Sequence, residues 1–151
     1  MISKSLTETA AIAREFASRL EPATSGATIV ALSGELGSGK TTFAKSFAAA
    51  FGVFEDDVTS PTFVIEKRFT IDASKVGRTN WKTLIHIDAY RLESAADVEK
   101  LHWNETVADP SNLILVEWPE RIGDALPANA IRIKFSHIDG SAEGEREISF
   151  K

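Results

Sequence analysis

Cysteine is absent from this chain, which excludes disulfides and thiolate metal sites and suits a reducing compartment. Long apolar runs are missing too. The most apolar stretch, residues 47–54, is far too short to cross a bilayer. The opening segment Met1-Ile2-Ser3-Lys4-Ser5-Leu6-Thr7-Glu8 has polar residues and a carboxylate where a secretory signal needs apolar ones. A soluble, cytoplasmic chain is therefore expected. Positive charge is not in excess: a net charge of -5 makes the domain as a whole a poor holder of nucleic-acid backbone. The local exception is the segment 66–82, where Lys67, Arg68, Lys75, Arg78 and Lys82 stand against only Glu66 and Asp72. It reads first as an ordinary solvated hairpin and second as a phosphate-binding patch. With no internal repeat, low-complexity tract or long linker in 151 residues, one domain spanning 1–151 is expected.

What is present is a regular alternation of helix and strand signals. Ser5-Leu6-Thr7-Glu8 has the serine and glutamate spacing of a capping box. It opens an amphipathic helix with Leu6, Ala10, Ala13, Phe16, Ala17 and Leu20 on one face, ended by Pro22 and the Thr24-Ser25-Gly26 cluster. Residues 27–32 form a nearly unbroken apolar run, the signature of a strand covered on both faces. Residues 41–51 carry Phe43, Phe47 and Ala50 at helical spacing and stop at Gly52. Strands are expected over 62–70 and 83–88, joined as a hairpin, followed by a short helix over 94–101 capped by Ser94. Residues 113–117 read as a second buried strand, and 131–135 and 145–150 as half-exposed ones. The sum is an α/β three-layer fold around a mixed, partly parallel sheet, and the Gly34–Thr41 loop after the first buried strand makes it P-loop NTPase-like.

Between the first buried strand and its helix lies Gly34-Glu35-Leu36-Gly37-Ser38-Gly39-Lys40-Thr41, a complete match to G-x-x-x-x-G-K-[ST]. Glycines at 34, 37 and 39 let the backbone adopt positive φ and approach a phosphate closely. Successive N–H groups and the helix N-terminus of Gly37, Ser38, Gly39, Lys40, Thr41 and Thr42 then face the anion. Lys40 is placed to reach the β and γ oxygens, and the Thr41 hydroxyl to bind Mg2+. Neither an Asn-Lys-x-Asp guanine reader nor an Asp-x-x-Gly segment occurs, so ATP is the expected nucleotide. The region of Ser5 to Thr9 and the loop around Asp139-Gly140 are two candidates to lie over the base.

A phosphate loop needs a metal partner, usually an acid ending a neighbouring buried strand. Glu117, closing Leu113-Ile114-Leu115-Val116, stands in that position; the competing reading is a plain solvent-facing residue. Asp88 ends the strand 83–88, with His86 on the same side by alternation. It is read as a candidate to orient water or support the magnesium shell, against the alternative of a helix cap. Taken alone, Thr62 in Thr59-Ser60-Pro61-Thr62-Phe63 reads more simply as part of a Ser-Pro turn than as a switch threonine.

Four segments in this order, the phosphate loop, Ser60-Pro61-Thr62-Phe63, His86-Ile87-Asp88-Ala89-Tyr90-Arg91-Leu92 and Val116-Glu117-Trp118-Pro119-Glu120-Arg121, make the chain resemble the TsaE (YjeE) family. The resemblance runs from the N-terminal helix to the strand at Ile131. It implies a Mg-dependent ATPase that supports the TsaB–TsaD complex in forming N6-threonylcarbamoyladenosine at position 37 of tRNAs reading codons that begin with A. By the same resemblance Lys40 and Thr41 serve phosphate and magnesium, Glu117 completes the metal site, and Asp88 and Thr62 join Lys40 in catalysis. Trp118 would shape the nucleotide pocket or else pack in the core. Partner proteins would hold the tRNA, and the basic 67–82 segment would contact either tRNA or TsaD within the complex. Two departures are visible: the segment 70–82 is longer than the family's usual turn, and the C-terminus is short. The rival readings are a small-molecule kinase, which lacks support in the absence of an arginine-rich lid, and a non-catalytic nucleotide switch.

Overall fold

The computed structural model describes residues 1–58, 65–76, 80–138 and 144–151. Along the chain it forms β1 (Ile2–Ser3), α1 (Leu6–Arg19), β2 (Thr28–Gly34), α2 (Lys40–Ala49), β3 (Glu66–Thr70) and α3 (Ala73–Val76). There follow β4 (Thr83–Asp88), α4 (Ala95–Glu99), α5 (Trp103–Ala108), β5 (Asn112–Glu117), β6 (Ile131–His137) and β7 (Arg146–Phe150). Single 3-10 turns lie at Ala89–Arg91, Pro119–Arg121 and Gly123–Ala125.

One seven-stranded sheet runs β1-β7-β6-β2-β5-β4-β3. Its centre is parallel: β2 pairs with β5 and β6, and β5 with β4. The additions at both edges, β7 on β6, β1 on β7 and β3 on β4, are antiparallel. Alternation along each strand sorts the core into two clusters. Val30, Leu32, Leu84, Leu113, Leu115, Ile133 and Phe135 meet α1 and α2 on one face. Ile29, Ala31, Ile85, Ile87, Ile114 and Val116 meet Val98, Trp103, Ile122 and Leu126 on the other. Strands clothed on both faces are why 27–32 and 113–117 read as continuous apolar runs. The expected three-layer mixed sheet is the fold observed.

Local details differ. The serine cap of α1 forms, with Ser5 Oγ accepting from Glu8 N at 3.1 Å, while the Glu8 carboxylate accepts from Lys4 N at 2.6 Å. Leu6, expected on the buried face, is 56% exposed, and the polar Thr9 takes the core position. The helix therefore docks from its second turn onward. Helix α5 and the two-residue strand β1 were not expected. α5 starts from His102 in the left-handed region (φ 49) and has only six residues, too few for a periodic pattern. The hairpin β3–β4 forms as expected, with Thr70 opposite Thr83. The expected strand start at Thr62 lies outside the described residues.

Candidate functional site

Parallel pairing brings the carboxyl ends of β2, β5 and β4 side by side. Leu32 stands opposite Glu117, and Glu117 opposite Asp88. Because side chains alternate, Glu117 shares a face with Leu113 and Leu115, and His86 and Asp88 share it with Leu84. That is the face on which α2 packs, so both carboxylates lie beneath the loop that leads into α2. The separate expectations for the loop, Glu117 and Asp88 thus meet at one edge of the sheet.

The loop has the backbone the motif requires: Gly34, Gly37 and Gly39 have φ of 139°, 76° and 103°. Gly34 is also needed for close approach, since a Cβ there would stand 2.3 Å from the Phe135 carbonyl on β6. Gly39 is the N-cap of α2, and no side chain caps that helix or places an acid in its first turn. The first N–H groups of α2 are thus left for another acceptor. Ser38 is buried, and its Oγ has no hydrogen-bond partner. Both features fit a loop built to receive phosphate oxygens.

Lys40 is 5% exposed, and its Nζ donates to the carbonyls of Gly34 and Glu35, each at 2.7 Å. The ammonium also lies 4.0 Å from the centre of the Trp118 ring. Burial lowers the Lys40 pKa, while the carboxylates of Glu117, Glu120 and Asp88 oppose that shift. Lys40 is therefore held at the loop by neutral carbonyls, with acids nearby. Trp118 is half-buried. Its ring packs against the second core cluster and also touches Lys40 and Tyr90, the latter with ring centres 5.1 Å apart. Its amide, donating to Leu32 O at 3.1 Å, ties this turn to the root of the loop.

Glu117 is not the solvent-facing residue of the competing reading; it is 2% exposed. His86 Nε2 lies 2.9 Å from its Oε1, and the imidazole is itself 1% exposed. For an ionised carboxylate the shared proton belongs to Nε2, which leaves Nδ1 as the buried nitrogen without a partner. His86 thus fixes the orientation of Glu117, as outer residues do for metal-binding carboxylates. Among the described residues no group of three or more histidines or acids converges to hold a metal unaided. A Thr41 hydroxyl and one carboxylate suit Mg2+, which completes its shell with phosphate oxygens and water. Asp88 realises the cap: its Oδ1 accepts from Tyr90 N at 3.1 Å at the start of a 3-10 turn. Capping fixes the carboxyl at the strand edge beside Glu117 and so leaves the catalytic reading standing.

Some expected features stand apart. Thr62, the whole Ser60-Pro61-Thr62-Phe63 motif and the Asp139-Gly140 loop lie outside the described residues. In the basic segment, alternation sends Lys67 and Arg68 to opposite faces of β3. Arg68 pairs with Glu66 and also donates to Thr106 Oγ1 at 3.2 Å. The described residues there do not build one basic face. One residue at the loop was not anticipated: Arg146, at the start of β7, lies against Gly39. The available signal was alternation, because Arg146 shares the buried face with Ile148.

A glycine-rich loop between a parallel strand and its helix, with a buried carboxylate on the adjoining strand, defines a P-loop α/β protein. Comparison with known proteins narrows the class. The family model for Threonylcarbamoyl adenosine biosynthesis protein TsaE matches residues 3–148. A relative from Treponema pallidum (strain Nichols), named tRNA threonylcarbamoyladenosine biosynthesis protein TsaE, is 36% identical over 121 residues. The match spans 80% of this chain and 79% of the relative. A protein of the same name from Bacillus subtilis (strain 168) is 35% identical over 143 residues, 95% of this chain and 78% of its own. The crystal structure of Bacillus subtilis YdiB superposes with a TM-score of 0.67 at 28% identity, covering 99% of this chain and 82% of that one. The chain belongs to the TsaE family.

Proposed function

We propose that this chain is a Mg-dependent P-loop ATPase that supports the TsaB–TsaD complex in forming N6-threonylcarbamoyladenosine at position 37 of tRNAs reading codons that begin with A. The observation that carries the reading is the meeting of the uncapped N-terminus of α2, Lys40 and the His86-held Glu117 at one sheet edge. In this reading the N–H groups of residues 37–42 cradle the phosphate chain. Lys40 exchanges its carbonyl partners for β and γ oxygens, at which stage its charge is compensated by phosphate. Thr41 and Glu117 hold Mg2+, and the bound ion supplies positive charge to the β and γ phosphoryl oxygens. Asp88 orients the attacking water, and Thr62 serves as the switch threonine that follows the γ-phosphate. Trp118 covers Lys40 and limits water access to it.

Membership in a family named for tRNA threonylcarbamoyladenosine biosynthesis supports the pathway. No helix of the described residues is long and apolar enough to cross a membrane, and in this reading the chain acts in the cytoplasm. The net charge of -5 favours protein partners as the holders of tRNA, with the 67–82 segment as the one place for a direct contact.

The test mixes purified chain with TsaB and TsaD, with and without ATP, and measures association and phosphate release together. ATP-dependent association and phosphate release stimulated by the complex are expected. Labelled phosphate recovered on a metabolite would establish a kinase instead. Association with no phosphate release above the level of an Asp88→Ala variant would leave only a binding switch.

A further inference from the structure

Arg146 is a buried cation whose charge no carboxylate of the described residues answers. It is 5% exposed, and no acid of the described residues forms an ion pair with it. Two of its five N–H groups find acceptors among the described residues: Nη1 donates to Thr9 Oγ1 at 3.3 Å, and Nη2 donates to the Gly144 carbonyl. The guanidinium rests on the face of Gly39. A Cβ built there would meet Nη1 at 2.7 Å and Cδ at 3.1 Å. Gly39 is the N-cap of α2, so a fixed positive charge sits against the positive end of a helix dipole. A buried, uncompensated charge beside a like-signed dipole is unfavourable unless an anion shares the space. Two further features there lack a partner: the uncapped first turn of α2 and the buried Ser38 Oγ.

We infer that Arg146 is a phosphate-binding residue of the nucleotide site, reaching it from the C-terminal strand while Lys40 reaches it from α2. The inference rests on reading the loop as a phosphate site. Loop N–H groups at the Gly39 position face the α and β phosphates, whereas the motif lysine reaches the β and γ. Arg146 therefore serves the diphosphate portion common to ADP and ATP. Its unspent N–H donors form charge-assisted bonds to those oxygens, and the phosphate compensates the guanidinium charge. Thr9 and Gly144 hold the side chain in place, so the start of α1 and the approach to β7 become parts of the nucleotide site.

Titration calorimetry of Mg·ADP and Mg·ATP against wild type, Arg146→Gln, Arg146→Lys and Lys40→Ala tests this. Arg146→Gln should weaken both nucleotides by the same factor, roughly ten- to a hundredfold for lost hydrogen bonds to a charged group. Arg146→Lys should recover part of that loss. Affinities of a folded Arg146→Gln variant within twofold of wild type would overturn the inference, as would a loss confined to ATP. If wild type binds, Lys40→Ala does not, and Arg146→Gln binds normally, only the role of Arg146 falls. If wild type binds neither nucleotide, the phosphate-loop reading falls with it. Should Arg146→Gln fail to fold, the guanidinium 15N signal of Arg146 in the wild-type protein decides. It should shift on adding Mg·ADP or pyrophosphate and stay fixed on adding adenosine; no shift with Mg·ADP refutes the contact.

Discussion

Replacing His86 with leucine removes one hydrogen bond and strands one charge, so its cost can be worked from the geometry. The imidazole is 1% exposed and meets the Glu117 carboxylate, itself 2% exposed, at 2.9 Å. Its other nitrogen has no partner, so the polar function of the ring is concentrated in that single bond. Leucine keeps much of the volume on the apolar face. Losing a hydrogen bond to a charged group costs about 1.5–3 kcal/mol, and leaving a buried charge unpaired raises this toward about 3–5 kcal/mol. A value of about 2–4 kcal/mol is therefore expected, a fall in melting temperature of roughly 5–15 °C for a domain of this size. Urea unfolding followed by circular dichroism gives the free energy directly. The decisive step is the cycle with Glu117→Leu. In that background His86→Leu should cost less than about 1 kcal/mol, giving a coupling energy of about 1 kcal/mol or more. A single-variant loss under about 0.5 kcal/mol, or strict additivity in the cycle, would refute the buried pair.

Three other outcomes are expected. Asp88→Asn should keep ATP affinity within a few-fold but lower turnover with TsaB and TsaD present by roughly a hundredfold, the usual scale of a lost general base; unchanged phosphate release would remove Asp88 from catalysis. Phe47→Ala, at a fully buried ring in contact with Phe16, Phe43 and Phe51, should cost about 3–5 kcal/mol in urea unfolding. A much smaller loss would contradict the packing of α2 on the sheet. On α4 the Asp97 carboxyl is pulled down to about 2, chiefly by its hydrogen bond with Lys100 and then by the Glu93 amide and Ser94. Because its folded pKa is depressed, its contribution is present above the ordinary carboxylate range and is lost as pH falls through about 2. Asp97→Asn should therefore weaken amide protection in α4 at pH 7 but not below pH 2, and an NMR titration midpoint near the ordinary value would contradict this.

Features written in contiguous residues were legible from the sequence. The loop 34–41 announces itself because phosphate binding needs backbone freedom, a cation and a hydroxyl at fixed offsets. The strand 83–88 was placed at its observed bounds, since its apolar run and the Asp88 cap lie within it. Features written in register were less legible. The bond from His86 to Glu117 exists because β4 and β5 pair in parallel with Asp88 opposite Glu117, which no local pattern states. Arg146 meets Gly39 only because β7 folds back on β6 beside β2, bringing together residues far apart in sequence. Leu6 was misplaced because helical periodicity describes a face but not how far along the helix the core extends. The six residues of α5 are stabilised by tertiary contacts such as the Trp103 Nε1 donation to Ala125 O at 2.8 Å, so propensity alone did not reveal them.

The central claim is that the phosphate loop and Glu117 form one Mg·ATP site. Its most direct test is the magnesium dependence of ATP affinity, measured by calorimetry on wild type, Lys40→Ala and Glu117→Gln. Wild type should bind ATP at least roughly tenfold more tightly with magnesium than with EDTA, about 1.4 kcal/mol. Lys40→Ala should lose affinity under both conditions, and Glu117→Gln should lose most of the magnesium enhancement alone. A Glu117→Gln protein that keeps the full enhancement would contradict the account.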